Sequence, residues 1–145
     1  MEEIKRVVEV VKQQCVVKTI AGGGNGSIIL FEIGEPVVYI LYIYCTWRLE
    51  KGNEVLSGWN ESPDPETGHL TLTINALEGD IIEEVSLSNF YDLSIHFKSS
   101  KRLTVFCDRT PNLEGDYTNW SFCDIHTNKC YTIDKNFSVQ LDTYN

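Results

Sequence analysis

The spacing of apolar positions changes along this chain, and the changes mark out its elements. Ile4, Val7, Val8, Val11 and Cys15 recur at helical spacing and would form one apolar stripe, so residues 2–14 are expected to be the single clear helix. Glu2 and Glu3 in its first turn suit the positive end of the helix dipole. Several valines lower its intrinsic propensity, so packing against a sheet has to hold it. β-branched residues then take over. Residues 15–21 and 27–33 read as strands joined by Gly22-Gly23-Gly24-Asn25-Gly26, where Asn25-Gly26 suits a turn requiring positive φ. After the Gly34-Glu35-Pro36 turn, residues 37–49 are nearly continuous Val, Ile, Tyr, Leu and Trp. That pattern predicts a central strand covered on both faces, with the N-terminal helix as one cover. Residues 50–53 turn the chain into a strand at 54–59.

Residues 60–68 hold two prolines, a glycine and three acids, which predicts a surface loop. From His69 the pattern is regular again. Leu70, Leu72 and Ile74 alternate with Thr71, Thr73 and Asn75, a strand signal, although Leu77 leaves a short helix open. A strand at 81–87, a turn at 89–92 and a hairpin through 93–97 and 103–107 follow, the hairpin with one apolar and one polar face. Residues 108–117 form a second long loop, Trp120 and Phe122 mark another alternating strand, and 126–129 turn the chain into 131–141. The expectation is an α+β fold, mainly antiparallel β: one N-terminal helix packed on a curved or sandwich-like sheet of about eight strands.

A chain of 145 residues can bury roughly two-thirds of its unfolded surface, and residues 1–145 are read as a single domain. No stretch approaches the ~18 consecutive apolar residues of a membrane-spanning helix, so no membrane partner is expected. The opening Met1-Glu2-Glu3-Ile4-Lys5-Arg6 lacks the features of a secretory signal, and a cytoplasmic location is expected. The five cysteines, at 15, 45, 107, 123 and 130, are then expected to be reduced. Four Asn-x-Ser sequons, at Asn25, Asn60, Asn119 and Asn136, carry no weight without export.

Charge alters the picture more than composition does. The net charge is −9, and residues 52–97 contain no Lys or Arg while holding nine acids. Nucleic-acid binding needs clustered bases to neutralise phosphate, so a nucleic-acid partner is not expected. An acidic field instead attracts a basic protein and speeds its association, although acidity also serves solubility alone.

Candidate chemistry is thin. The glycine run is followed by a β-branched segment and not by a helix, so it reads as a turn and not as a phosphate cradle. Cys123-x-x-His126-x-x-x-Cys130 has partial zinc spacing, with Cys107 as a possible fourth ligand. Strand alternation turns Trp120 and Phe122 to the core and Cys123 outward with Ser121, and the plain reading is two thiols around a polar turn. His96, between Ser94 and Lys98, reads as a solvated strand histidine, and His69 and His126 fall in turns. Glu83 and Glu84 are adjacent and would point to opposite faces of a strand, while Asp64 and Glu66 belong to a loop. No catalytic residue, metal ligand or cofactor is therefore assigned. Trp59 and Tyr117 flank the two loops as interface anchors or as core residues at strand ends.

From about Leu70 onward, Leu77-Glu78-Gly79, Asp92-Leu93-x-Ile95-x-Phe97, Leu103-x-Val105-Phe106-x-Asp108 and Asn119-Trp120 resemble the small β-rich immunity proteins of bacterial polymorphic toxin and contact-dependent growth inhibition systems. The resemblance implies a cytoplasmic protein that is not an enzyme and that binds a toxin domain, such as a basic nuclease, to block it. The acids expected to contribute are Asp64, Glu66, Glu78, Asp80, Glu83 and Glu84. The competing reading is a small enzyme or metal-binding domain centred on His96 or on Cys123, His126 and Cys130.

Overall fold

Two antiparallel sheets with a shared apolar interior account for the alternation in the sequence. The computed structural model describes residues 2–22, 28–58, 68–108 and 118–143. With strands numbered in chain order, the first sheet contains β1 (Val16–Gly22), β2 (Ile28–Ile33), β3 (Tyr39–Ile43), β9 (Thr118–Asp124), β10 (Lys129–Asp134) and β11 (Val139–Thr143). Its strand order is β1-β2-β3-β9-β10-β11. The second contains β4 (Thr46–Lys51), β5 (Glu54–Gly58), β6 (Ile82–Leu87), β7 (Leu93–Phe97) and β8 (Lys101–Phe106), in the order β5-β4-β8-β7-β6. Phe31, Leu41, Ile43, Trp120, Phe122 and Ile133 from the first sheet and Trp47, Leu49, Leu93, Ile95, Leu103 and Val105 from the second belong to one core. Burying each such side chain contributes about 2 kcal/mol, and this shared interior makes the sandwich one unit.

The mainly antiparallel β character is as expected, but the described residues form eleven strands in two sheets, with two short helices. Residues 37–49 are two strands and not one. The chain leaves the first sheet after Ile43 and enters the second at Thr46, turning at Tyr44 and Cys45, whose N–H groups both donate to the Asn119 carbonyl (2.9 and 3.1 Å). Both limbs bury an inner face, so no polar residue announces the corner, which is how strands change sheets in such packings. Residues 131–141 likewise divide into β10 and β11, because the Asp134 carboxylate accepts bonds from the Asn136 and Ser138 N–H groups and fixes a turn.

The helices also differ from expectation. The first, α1 (Glu2–Val8), tightens into a 3-10 turn over Glu9–Val11 instead of running to residue 14. Valine-rich sequence propagates a helix poorly, and Gln13 and Gln14 find better partners in Ile82, to whose backbone both are hydrogen-bonded. This helix touches β6, Ile4 lies beside Tyr131, Val139 and Leu141, and Val8 and Val11 line one small cavity with Leu41 and Phe122, so the N-terminal segment reaches the middle of the first sheet. The alternating segment after residue 69 is a helix, α2 (His69–Asn75), packed against β1 and β5. Leu70, Thr71, Ile74 and Leu77 are buried at helical spacing, whereas Leu72, which alternation placed inside, is 54% exposed. Gly34 is demanded both by its backbone angle and by lack of space. Gly34 has φ +98°, and a Cβ there would lie 3.1 Å from Val38 Cγ2 and 3.3 Å from the Pro36 carbonyl. Among the described residues no helix is long and apolar enough to cross a membrane.

Candidate functional site

Of the six acids expected to recruit a partner, Asp64 and Glu66 lie outside the described residues, as do the aromatics Trp59 and Tyr117. The other four follow one another from the end of α2 into β6, an edge strand of the second sheet. They do different work. Glu78 accepts hydrogen bonds from the Thr19 N–H and hydroxyl (both 3.3 Å), tying the end of α2 to β1. Asp80 accepts from the Ile81 N–H (2.9 Å), the Ser99 N–H (3.3 Å) and the Ser99 hydroxyl, bracing the start of β6 against the β7–β8 turn. Glu84 is ion-paired with Lys12 at 3.3 Å. Glu83 makes no hydrogen bond or ion pair among the described residues.

A bulge explains why both neighbouring glutamates reach solvent. The β6–β7 register slips between Ile82, opposite Phe97, and Glu84, opposite His96, so Glu83 is the extra residue. The expectation that Glu83 and Glu84 point to opposite faces therefore fails: Ile82 and Val85 are buried and both acids between them are exposed.

The base-free stretch of sequence is not a base-free surface. Across the outer face of the second sheet, Glu84, His96, Arg102 and Glu50 stand opposite one another in successive strands. Glu50 bridges Arg48 and Arg102, each through a 2.8 Å bond from Nε, and Arg48 also stacks over Phe106 at 5.1 Å. The Arg102 hydrogen bond, opposed in part by burial, holds the Glu50 carboxyl below the usual carboxylate range. Glu50 itself lies outside residues 52–97, but antiparallel pairing also sets Arg102 opposite His96 and Lys51 opposite Glu54, so bases from outside that stretch stand beside residues inside it. His96 is exposed on this face, with the Ser94 hydroxyl 3.5 Å from its Nε2.

The turn with partial zinc spacing proves different. Cys123 and Cys130 stand directly opposite each other on β9 and β10, Cα atoms 4.1 Å apart, and form a disulfide. The expected free thiols are thus confined to Cys15, Cys45 and Cys107. In the bonded pair neither sulfur is a thiolate that could take a metal. Cys123 shares its face with Ser121, as alternation requires, but it is 3% exposed. His126 is exposed, and its N–H donates to the Asp124 carboxylate at 3.0 Å. A polar groove of about 460 Å³ lies nearby, lined by Thr118, Thr132, Asp134, Gln140 and Asp142 among others. Burial pushes the Asp134 carboxyl up, but bonds from Ser138, Gln140 and the Asn136 N–H outweigh it and hold the group low. That carboxylate is occupied by its own turn.

Two features escaped the sequence reading. Ile20, Leu30 and Tyr42 align across β1, β2 and β3 on the outer face of the first sheet, where Tyr42 also stacks with Tyr44. The long apolar run concealed this, because an outward tyrosine and an inward isoleucine look alike in a hydropathy pattern. The second feature is the sheet-to-sheet corner. Asn119, fully buried, accepts from the Asp108 N–H (2.8 Å) and donates to the Asp108 (3.1 Å) and Asp134 (3.0 Å) carbonyls. Beside it, the neighbouring Cys107 and burial push the Cys45 thiol up. Comparison with protein-family models, curated proteins and solved structures finds no match to this chain.

Proposed function

We propose that this chain is a binding protein that neutralises a basic protein toxin domain in a one-to-one complex, as an immunity protein acting in the cytoplasm. The observation that carries the reading is the β6 bulge. It presents Glu83 and Glu84 together on an edge strand, and Glu83 has no intramolecular partner among the described residues. A free carboxylate on an edge is available to a partner's Lys or Arg, and the net charge of −9 steers such a partner inward. Glu78 and Asp80 are assigned to holding the segment that displays the pair, and Glu84 exchanges Lys12 for a base of the partner. The resemblance in the C-terminal half supplies the class of partner, a secreted toxin domain with a basic substrate-binding surface. The Cys123–Cys130 bond persists in oxidising surroundings, whereas in a reducing cytoplasm the two residues stand as opposed thiols.

The test starts with affinity capture from the native lysate and identification of a basic protein held at one-to-one stoichiometry. Association kinetics of that pair are then measured for the Glu83→Lys and Glu84→Lys double variant. At low salt the on-rate should fall roughly tenfold or more, and the difference should shrink as salt rises. An on-rate indifferent to charge reversal would remove the β6 edge from the interface. Capture of no basic partner would remove the neutralisation reading itself.

A further inference from the structure

Antiparallel pairing sets two pairs of cysteines face to face in this fold, and one pair remains unbonded. In the β4–β8 ladder Thr46 stands opposite Phe106 and Trp47 opposite Val105, so extending the register by one residue sets Cys45 opposite Cys107. Alternation turns both toward the interior, since Cys45 shares a face with Trp47 and Leu49, and Cys107 with Leu103 and Val105. Cys107 lies close enough to Cys45 to push its thiol's pKa up together with burial. We propose that Cys45 and Cys107 are an oxidisable dithiol that closes into a second cross-strand disulfide, fastening β4 to β8 at the corner where the chain passes between sheets.

The surroundings fit this role. Cys107 is held in place by its N–H, which donates to the Asp92 carboxylate at 2.8 Å, and by its thiol, which donates to the Tyr91 carbonyl at 3.2 Å. That carbonyl also receives the Trp120 indole N–H at 2.9 Å, so the strand end carrying Cys107 is anchored to β9. Cys45 is 1% exposed, whereas Cys107 is only half-buried. An oxidant from solvent therefore meets Cys107 first. Cys15, the remaining thiol, lies where residue 81 bridges to it, away from this corner.

The oxidant is a small-molecule disulfide, RSSR. The Cys107 thiolate attacks one of its sulfurs, forming a mixed disulfide and releasing one RS⁻. Cys45, giving up its proton, then attacks the Cys107 sulfur and releases the second RS⁻. The two protons lost by the cysteines end on the two released thiols. In sum, two cysteine thiols are oxidised to one disulfide and RSSR is reduced to two RSH.

The full chain, incubated with graded ratios of oxidised to reduced glutathione, quenched with an alkylating agent and mapped by peptide mass, tests the assignment. The expected result is a linked Cys45–Cys107 peptide, a fall from three alkylatable thiols to one, and a urea midpoint that rises on oxidation. In Cys107→Ser, the variant at the more tolerant position, the linked peptide and the midpoint rise should both vanish, with the circular dichroism spectrum unchanged. The proposal is overturned if Cys45 and Cys107 of the folded protein remain separately alkylated at the most oxidising ratio. It is equally overturned if Cys107 stops at the glutathione adduct or pairs with Cys15.

Discussion

At the scale of single residues, two buried polar groups make opposite predictions. Asn119 is fully satisfied, and its side chain supplies partners to backbone groups at Asp108 and Asp134. Asn119→Ala strands those groups at the junction between sheets, and each orphaned buried group costs about 1–3 kcal/mol. The variant should lose roughly 3 kcal/mol in urea unfolding, near the top of the range for one substitution. Thr71 is the reverse case. Its hydroxyl on α2 is buried without a partner among the described residues, and so is that of Ser57 on β5. Thr71→Val replaces an unsatisfied oxygen by a methyl of similar shape and should raise stability by about 1 kcal/mol in the same experiment. Neither role is legible in sequence. Strand alternation puts Asn119 on the polar face beside an inward Trp120, but segments distant in sequence, Tyr44 and Cys45 at its backbone and Asp108 and Asp134 at its side chain, meet it in the folded chain, where it is buried.

At the scale of elements, covalent and electrostatic ties can be weighed separately. The Cys123–Cys130 bond joins residues seven apart, and chain-entropy arguments assign ~2 kcal/mol to closing so short a loop. Urea unfolding with and without reductant should differ by about that amount, most clearly in Cys107→Ser, where no second bond can form. The carboxyls of Glu50, across β4 and β8, and Asp134, in the β10–β11 turn, are both held below their ordinary values. A carboxyl whose folded pKa is depressed contributes stability that is fully present above its unfolded pKa and lost as pH falls through the folded value. Urea midpoints should therefore be flat near neutrality and decline below about pH 4, where ordinary carboxyls begin to take up protons. In the Glu50→Gln and Asp134→Asn double variant that decline should be shallower.

Elements also show where pattern reading works. The β7–β8 hairpin was legible because Leu93, Ile95, Phe97, Leu103 and Val105 alternate without interruption and the structure buries every one of them. The segment after His69 was misread because leucines at 70 and 72 with isoleucine at 74 satisfy a period of two as well as they satisfy part of a helical turn. Packing of Leu70, Ile74 and Leu77 between β1 and β5 then decides.

At the scale of the whole molecule, charge counted along the chain and charge displayed on the surface part company. Among the described acids of residues 52–97, Glu84 meets Lys12 while Glu78 and Asp80 are spent on holding the segment before β6, and Arg48 and Arg102 are taken by Glu50 outside the stretch; Glu83 stands out as the free carboxylate of the β6 edge. The location of a candidate interface was thus legible only to the level of a segment. A bulge that re-aims one residue leaves no composition signal, and the loop acids Asp64 and Glu66 lie outside the described residues. The general antiparallel character was legible from alternation. The division into two sheets was not, because the strand that changes sheet keeps the same apolar vocabulary on both sides of Tyr44 and Cys45.

The place of β9 in the first sheet bears on how the molecule is made. A ribosome delivers β1, β2 and β3 early, and they can pair as a meander, but the far side of β3 (Tyr39–Ile43) is filled only by β9 (Thr118–Asp124). Five strands of the other sheet are synthesised in the interval, all of which must fold without capturing that open edge. Completion of the first sheet is therefore a late event that depends on contacts between distant parts of the chain, the condition under which refolding is slow and half-made protein is prone to aggregate.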